Sequence, residues 1–164
     1  MKKVDAKDKL LEAAERCLME KGSHAASVKA IAAMADVNHG LVHHYFGSKE
    51  GLFIELAKEH LKITTPLKTV ATENEVIDFL EETVFFYSRM MVELRALSYQ
   101  MPELNNVLIN ILKERRKNLQ EILNIDDEQA VILISSVAGL AFQAGLDTSM
   151  KLKDALRKVF NLIN

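Results

Sequence analysis

Apolar residues recur every three or four positions along nearly the whole chain, and polar residues fill the positions between them. This spacing is typical of helices that bury one face. It predicts helices over about 5–21, 28–35, 39–46, 49–64, 73–100, 103–123, 127–146 and 148–164. The predicted fold class is therefore all-α, with a boundary near Pro66 because proline disfavours helix in the residue before it.

Residues 27–46 spell two short helices around a tight turn. Ser27 is a favourable N-cap, and the first helix has an apolar face that can pack inward. That face consists of Val28, Ile31, Ala32 and Ala35. Asp36 tolerates the left-handed conformation that ends many helices, and Asn38 is placed to cap the second helix. Val42 and Phe46 form the inward side of that second helix.

The outer side of the second helix carries many polar and aromatic groups. Its start and its outer positions are His39, Gly40, Leu41, His43, His44 and Tyr45. Gly47, Ser48 and Lys49 follow, and Ser48 is placed to cap the next helix. A short helix that is apolar inside and rich in hydrogen-bond donors outside, directly after a tight turn, is the layout of a DNA-reading helix-turn-helix.

Four short motifs at fixed spacings extend this pattern over residues 7–61. They are Glu20-Lys21-Gly22, Ser27-Val28-x-x-Ile31-Ala32, Val37-Asn38-His39-Gly40 and Tyr45-Phe46-x-Ser48-Lys49-Glu50-x-Leu52. In these motifs the chain resembles the N-terminal domain of the tetracycline-repressor (TetR) family of one-component bacterial regulators. It departs from the residues usual in that family at Asp36, His39, Leu41, His43 and Gly47. The resemblance implies a helix-turn-helix DNA-binding domain at 1–48, a linking helix at about 49–64, and a helical effector-binding and dimerisation domain at 65–164.

Nine residues are predicted to contact double-stranded DNA, and a near-palindromic operator is the expected partner. They are Ser27, Asn38, His39, Gly40, Leu41, His43, His44, Tyr45 and Lys49. Ser27 and Asn38 lie at helix starts, where hydroxyl and amide groups suit phosphate oxygens, and Lys49 adds a point charge. His43 occupies the position that holds a phosphate-binding tyrosine in the family. Base reading is expected from the first residues of the second helix.

The formal net charge of −2 disfavours nucleic-acid binding by the chain as a whole, but the local charge differs. Between residues 21 and 49 three lysines stand against the single carboxylate of Asp36, and all five histidines lie within residues 1–60. We therefore expect salt-dependent binding that strengthens below neutral pH, where histidines gain charge. His39 and His43 are also spaced for zinc, but two ligands rarely make a tetrahedral site, so no metal and no cofactor is predicted.

The last two predicted helices indicate a homodimer. Residues 128–146 are apolar on nearly every side and rich in small residues, so a helix there must be covered on two sides. A second copy of the chain is one possible cover, and the rest of the same chain is the alternative. The resemblance favours the second copy, as a four-helix bundle across a two-fold axis. The predicted interface is Val137, Ala138, Ala141, Ala144, Gly145, Leu152, Leu156, Val159, Phe160 and Ile163.

The segment from Val76 to Met101 has aromatic and methionine side chains on more than one helical face. Such side chains suit a mostly apolar pocket for a small-molecule effector, although ordinary core packing accounts better for any single one of them. The candidate pocket residues are Phe79, Phe86, Tyr87, Met90, Met91, Leu94, Tyr99 and Gln143.

Other classes of protein have less support in the sequence. We find no glycine-rich phosphate loop, HExxH motif, paired-cysteine metal site or nucleophile elbow, so no enzymatic activity is predicted. The lone Cys17 excludes a disulfide within the chain and is expected in the core. No apolar run approaches membrane-spanning length, so a cytoplasmic location without membrane contact is expected.

The predicted function is sequence-specific DNA binding by a transcriptional regulator, a repressor that a small, largely apolar ligand releases from its operator. The alternative is a helical dimeric adaptor of the same fold that lacks specific DNA binding. Weak binding without sequence preference would indicate the adaptor.

Overall fold

The computed structural model describes residues 5–63 and 72–163, and helices account for most of both ranges. The helices are α1 (Ala6–Lys21), α2 (Val28–Met34), α3 (Gly40–Phe46), α4 (Lys49–Ile63), α5 (Glu73–Ser98), α6 (Pro102–Leu123), α7 (Asp127–Leu146) and α8 (Leu152–Ile163). A 3-10 turn at Ser23–Ala25 joins α1 to α2. The predicted all-α fold class is confirmed.

Several helix ends follow the capping residues that the sequence predicts. Asp126 and Gln129 form a reciprocal capping box at the start of α7, with N···O distances of 2.8 and 2.9 Å. The predicted start of the last helix at 148 is wrong, because α8 begins at Leu152. Asp147 holds the intervening residues in a turn, since its Oδ1 accepts from the backbone N–H of Ser149 at 3.0 Å and from its hydroxyl at 2.6 Å.

The chain divides into two compact units that are discontinuous in sequence. One consists of residues 1–62 and 89–109, and the other of 63–88 and 110–164. Helices α5 and α6 therefore contribute one end to each unit. The domain boundary predicted near residues 64–66 lies outside the described residues and stays a prediction.

Helices α1 to α4, which we call the head, close around a small apolar core in the first unit. Its buried side chains are Leu10, Ala13, Ala14, Cys17, Leu18, Ile31, Ala32, Val42, Leu52, Phe53, Leu56 and Ala57. Arg16 joins α1 to the end of α2, because its Nη2 donates to the carbonyl oxygen of Met34 at 2.8 Å. Burial raises the pKa of the Cys17 thiol, which disfavours the reactive thiolate. The predicted core position of Cys17 is confirmed.

Two carboxylates attach the 89–109 segment to the head. Glu93 Oε2 accepts from the backbone N–H of Ser23 at 2.6 Å. Glu50 Oε1 accepts from the backbone N–H groups of Glu103 and Leu104, at 3.1 and 3.3 Å. These two donors lie in the first turn of α6, where backbone N–H groups have no partner within the helix. Glu50 thus supplies the cap that α6 needs from a different helix.

The corner between α3 and α4 has room for glycine alone. A Cβ atom built on Gly51 would lie 2.1 Å from the carbonyl oxygen of Phe46, a distance that forces the backbone to move. The two linking residues are Gly47, with φ of 75°, and Ser48, whose Oγ accepts from the Gly51 N–H at 2.9 Å. The first turn of α4 is therefore seated directly on the last carbonyl of α3.

The second unit has its own core between the first part of α5, the end of α6, α7 and α8. Its buried members are Val76, Ile77, Leu119, Ile125, Ala130, Leu133, Ala141, Ala144, Leu152, Leu156 and Phe160. Ion pairs surround this core. Arg116 of α6 bonds Asp127 of α7 at 3.2 Å, and Lys153 of α8 bonds Asp78 and, at 3.7 Å, Glu81 of α5.

Within the described ranges one helix, α7, has the length and composition of a membrane span. It has 20 residues and a mean hydropathy of 1.6 in its apolar stretch, of which 28% is buried. The expectation that no apolar run approaches this length is therefore wrong. Core helices of soluble proteins meet the same criteria, and α7 packs its buried side on the core that α8 shares.

Replacing Gly51 by Ala is expected to lower the free energy of unfolding by about 1–3 kcal/mol, the range for overpacking a tight site. The added methyl group meets the Phe46 carbonyl, and this outweighs the roughly 1 kcal/mol by which Ala favours a helix over Gly. Gly40→Ala is the matched control, since its Cβ meets only the movable Asn38 Oδ1 at 3.2 Å. Thermal unfolding measures both variants, and an equal Tm for the two would contradict the steric argument.

Candidate functional site

Helix α3 has one buried side and one exposed side. Val42 is fully buried in the core of the head, and Phe46 is half-buried beside it. On the other side five of the predicted DNA-contact residues are exposed, namely Asn38, His39, Gly40, His43 and His44. The prediction that α3 turns a polar face outward is confirmed. Whether that face contacts DNA stays a prediction.

The two short helices begin with side-chain caps that leave donors facing outward. Ser27 Oγ accepts from the Ala30 N–H at 3.1 Å, so its hydroxyl proton remains able to donate. Asn38 Oδ1 accepts from the Gly40 N–H at 2.8 Å, which leaves its amide NH2 able to donate. Contrary to the prediction from the sequence, Asn38 is not the N-cap of α3. That position belongs to His39, which directly precedes the first helical residue and already has helical backbone angles.

His43 is held by its own helix. Its Nδ1 lies 3.2 Å from the carbonyl oxygen of Gly47. A carbonyl oxygen only accepts, so Nδ1 must carry the proton in this contact and Nε2 is the remaining ring nitrogen. With the proton on Nδ1, Nε2 of the neutral ring is an acceptor. A phosphate oxygen also only accepts, so this tautomer of His43 is suited to a donor such as a base amino group.

Three of the predicted contact residues are half-buried rather than exposed, and they are Leu41, Tyr45 and Lys49. The hydroxyl of Tyr45 lies 3.4 Å from Oδ1 of Asp5, the residue before α1, which is a long hydrogen bond. The Lys49 Nζ lies 5.8 Å from the ring centroid of Phe53. Tyr45 and Lys49 thus contact the head as well as solvent, whereas the histidines of α3 extend outward.

The structure divides the predicted effector residues between the two units. Met90 and Leu94 are buried and Met91 is half-buried in the first unit, where Tyr99 is 76% exposed. In the second unit Tyr87 is buried, Phe79 and Phe86 are half-buried and Gln143 is exposed. Their role in binding an effector stays a prediction.

An open groove of about 380 Å³ lies in the second unit, at the start of α8. Its lining residues are Glu81, Met150, Lys151, Leu152, Lys153 and Asp154. None of the predicted effector residues lines it. Because the ion pairs of Lys153 cross it, the groove is an unsuitable place for a largely apolar ligand.

The predicted dimer interface requires correction. Leu152, Leu156 and Phe160 are at most 6% exposed, and Ala141 and Ala144 are also buried, all within the core of their own unit. These five side chains present almost no surface to a partner, which corrects the expectation that they form the core of an interface; the interface itself stays a prediction. Ala138 and Gly145 are exposed and Val137 and Val159 half-buried, which leaves them available. The side chain of Ile163 lies outside the described residues.

The exposed side of α7 carries apolar residues that the sequence analysis did not select. They are Val131, Ile132, Phe142 and Leu146, with exposed fractions from 39% to 77%. Ser135, Ala138 and Gly139 lie between them on the same side and are exposed. The sequence shows that α7 is apolar on nearly every side. Its spacing alone does not show which side packs on its own chain and which side is exposed.

Comparison with known proteins identifies the head. The sequence profile described as "Bacterial regulatory proteins, tetR family" matches residues 10–56, which span α1 to the middle of α4. Over these residues the chain is similar to the N-terminal domain of the tetR family. The motifs that the sequence analysis singled out fall in this tetR-family segment, and the suspected family is confirmed.

Two curated relatives of the tetR-family chain are named as transcriptional repressors. One is the HTH-type transcriptional repressor AcnR of Corynebacterium glutamicum, 30% identical over 79 residues, which are 48% of this chain and 40% of AcnR. The other is the HTH-type transcriptional repressor Rv3405c of Mycobacterium tuberculosis, 31% identical over 115 residues, which are 70% of this chain and 55% of the relative. The chain thus spans about half the length of these relatives.

The likeness in fold extends beyond the tetR-family head. A TetR transcriptional regulator from Legionella pneumophila superimposes with a TM-score of 0.79 over 100% of both chains, at 20% sequence identity. At this identity the match speaks for the fold and for nothing finer. It covers the helices after the head as well as the head itself.

Proposed function

We propose that the protein is a cytoplasmic, sequence-specific transcriptional repressor that a small, largely apolar ligand releases from a near-palindromic operator. The observation that carries the proposal is the polar side of α3, which the burial of Val42 on the opposite side turns toward solvent. The tetR-family match and the names of AcnR and Rv3405c support the same class of function.

The dimensions and chemistry of α3 suit the major groove of DNA. An α-helix about 10–12 Å across enters a groove about 12 Å wide. His39 and His44 offer ring nitrogens to base edges, and Gly40 lets the backbone approach closely because no side chain intervenes. Leu41 suits the methyl group of a thymine. Ser27 and Asn38 donate to phosphates on either side and set the position of the helix.

A second copy of the chain is the proposed cover for the exposed side of α7. Phe142 and Ile132 there are 68% and 53% exposed, and small residues between them permit close approach of another helix. A closed pair places the same patch of each subunit against the other. For the two α3 helices to read one operator together, they must lie about 34–36 Å apart, one turn of DNA.

Ligand release follows from a shift between two arrangements of the dimer. A ligand that binds one arrangement better than the other shifts the population toward it, in proportion to the difference in affinity. In the first unit, the hydrogen bonds of Glu50 and Glu93 attach the start of α6 and the end of α5 to the head. A movement of either helix end therefore reaches the head through these bonds.

Sequence-specific binding is tested with duplexes selected from a random library. We expect a selected duplex to bind at least about a thousand times more tightly than a scrambled one at about 150 mM salt. Gly40→Ala should weaken the selected duplex by about tenfold or more, because its Cβ occupies the space that a base edge needs. It should leave the scrambled duplex unchanged, since phosphate contacts remain.

Equal and weak binding of both duplexes would contradict the repressor and indicate the dimeric adaptor. Leu18→Ala serves here as the folding control, because Leu18 is fully buried on α1, and its truncation destabilises the head without replacing a residue of the exposed side of α3.

The dimer is tested by placing a charge in the exposed side of α7. Phe142→Glu is expected to convert the dimer into a monomer, since a buried unpaired carboxylate at the interface costs several kcal/mol. Val92→Glu is the matched control, because Val92 is 65% exposed against 68% for Phe142 and lies on α5. Sedimentation velocity measures both, and a Phe142→Glu variant that remains a dimer would place the interface elsewhere.

A further inference from the structure

Arg115 of α6 has a guanidinium edge that finds no hydrogen-bond partner among the residues that the structure describes. Its Nε and Nη2 atoms are both shielded from solvent, and neither donates to a described acceptor. Buried polar groups without a partner are rare in folded proteins, because each costs free energy that a hydrogen bond would recover. The guanidinium cannot escape this cost by losing its proton.

The position of Arg115 on its helix explains why it is half-buried and why its Nε and Nη2 atoms are shielded from solvent. Arg115 follows Ile111 by four residues and precedes Leu119 by four, and both of these are buried. Side chains four apart share one face of a helix, so Arg115 occupies the apolar side of α6. Burial lowers the pKa of the Arg115 guanidinium, and Tyr87 acts in the opposite direction.

Aromatic rings form the wall beside the guanidinium. The Arg115 Cζ lies 5.7 Å from the ring centroid of Tyr87, within the range of a cation–π contact. Phe86 meets Tyr87 edge to face, with ring centroids 5.7 Å apart. These rings attract the charge but do not accept the two in-plane N–H bonds of Nε and Nη2. The aromatic neighbours that the structure describes therefore leave these two N–H bonds without an acceptor.

Arg116 and Arg95, on the same two helices as Arg115 and Tyr87, have ordinary partners. Arg116, the next residue, bonds Asp127 at 3.2 Å. Arg95 donates to the Ser98 hydroxyl at 2.9 Å and stacks on the ring of Tyr99 at 4.1 Å. The unmet edge is therefore particular to Arg115 and is not a general feature of arginines on these helices.

The geometry of the two unpartnered N–H groups of Arg115 favours one kind of acceptor, a carboxylate. Nε and Nη2 lie on the same edge of the guanidinium with parallel N–H bonds, so the two oxygens of one carboxylate accept from both at once. We propose that Arg115 anchors the effector and that the effector is an apolar carboxylic acid whose tail packs near Tyr87 and Phe86. The proposal rests on the proposed function, because it names the ligand class of the same regulator.

Charge balance favours a carboxylate over other anions. One carboxylate neutralises one guanidinium, whereas a phosphate dianion leaves a second charge in an apolar environment. An amine or another cation would be repelled. Arg115 is thus the polar group that fixes the orientation of a ligand which apolar contacts otherwise hold.

The test is thermal unfolding of the free full-length protein with octanoate and phenylacetate as probes, at constant ionic strength. Octanamide and phenylacetamide are the uncharged counterparts, and inorganic phosphate is the anion without a tail. We expect at least one of the two acids to raise Tm by about 3–6 °C at roughly ten times its dissociation constant. The amides and phosphate should leave Tm unchanged.

Arg115→Met should abolish the shift while leaving the Tm of the free protein equal or higher, because replacing a buried unpaired charge by an apolar group is neutral or stabilising. Arg115→Lys keeps the positive charge but loses the two parallel N–H donors. This variant should bind the acid at least about tenfold more weakly. It also keeps the proposal testable if Arg115→Met fails to fold. Arg116→Met is the matched control and should retain the full shift.

The proposal is overturned if neither acid shifts Tm, if the amides or phosphate do so equally, or if the Arg115 variants keep the shift. None of these measurements needs DNA, so they decide the Arg115 site even if the protein binds no operator. A shift that depends on Arg115, together with a selected duplex that the acid does not release, would support the site as an acid-binding site and contradict its role as the effector site.

Discussion

The orientation of α3 depends on the contact between the carbonyl of Phe46 and the backbone of Gly51. No side chain fits at Gly51, so the first turn of α4 is seated on the last turn of α3. Because Leu52 and Phe53 follow at once and are fully buried, α4 is anchored in the core from its start. Helix α3 then has one way to bury Val42, and its opposite side must face solvent. The polar surface proposed for DNA is a consequence of this packing.

The second unit combines two features that its own folding does not require. Apolar side chains are exposed along α7, and a half-buried arginine on α6 has two shielded N–H donors without a described acceptor. Hydrophobic burial alone would favour the reverse arrangement. Exposed apolar surface is useful when a second subunit covers it, and buried donors are useful when a ligand accepts from them. Both features are explained by partners that bind the folded chain.

Periodicity and capping predicted most of the helices, because both are local properties. Asp126 and Gln129 cap α7 as their spacing indicates, and Ser27 caps α2. The exposed face of α3 was equally predictable, since an inward position such as Val42 determines its opposite side. Gly51 was not singled out, because its importance comes from a carbonyl five residues earlier that approaches it in space alone.

The sequence alone does not distinguish a residue buried in the core of its own chain from a residue buried against a partner subunit. The stripe of Leu152, Leu156 and Phe160 has the spacing of an interface, yet its own unit covers it completely. Arg115 was overlooked for a related reason. Its place between Ile111 and Leu119 was visible in the sequence, but whether a carboxylate pairs with it depends on other helices.

The claim that the outer face of α3 is the DNA surface is tested most directly by NMR of the backbone amides during titration with a selected duplex. The account predicts the largest shift changes at residues 27–30 and 38–44, with small changes at α1 residues of the core such as Leu10 and Ala14. A duplex that binds while the amides of 38–44 remain unchanged would contradict the account, because another surface would then hold the DNA.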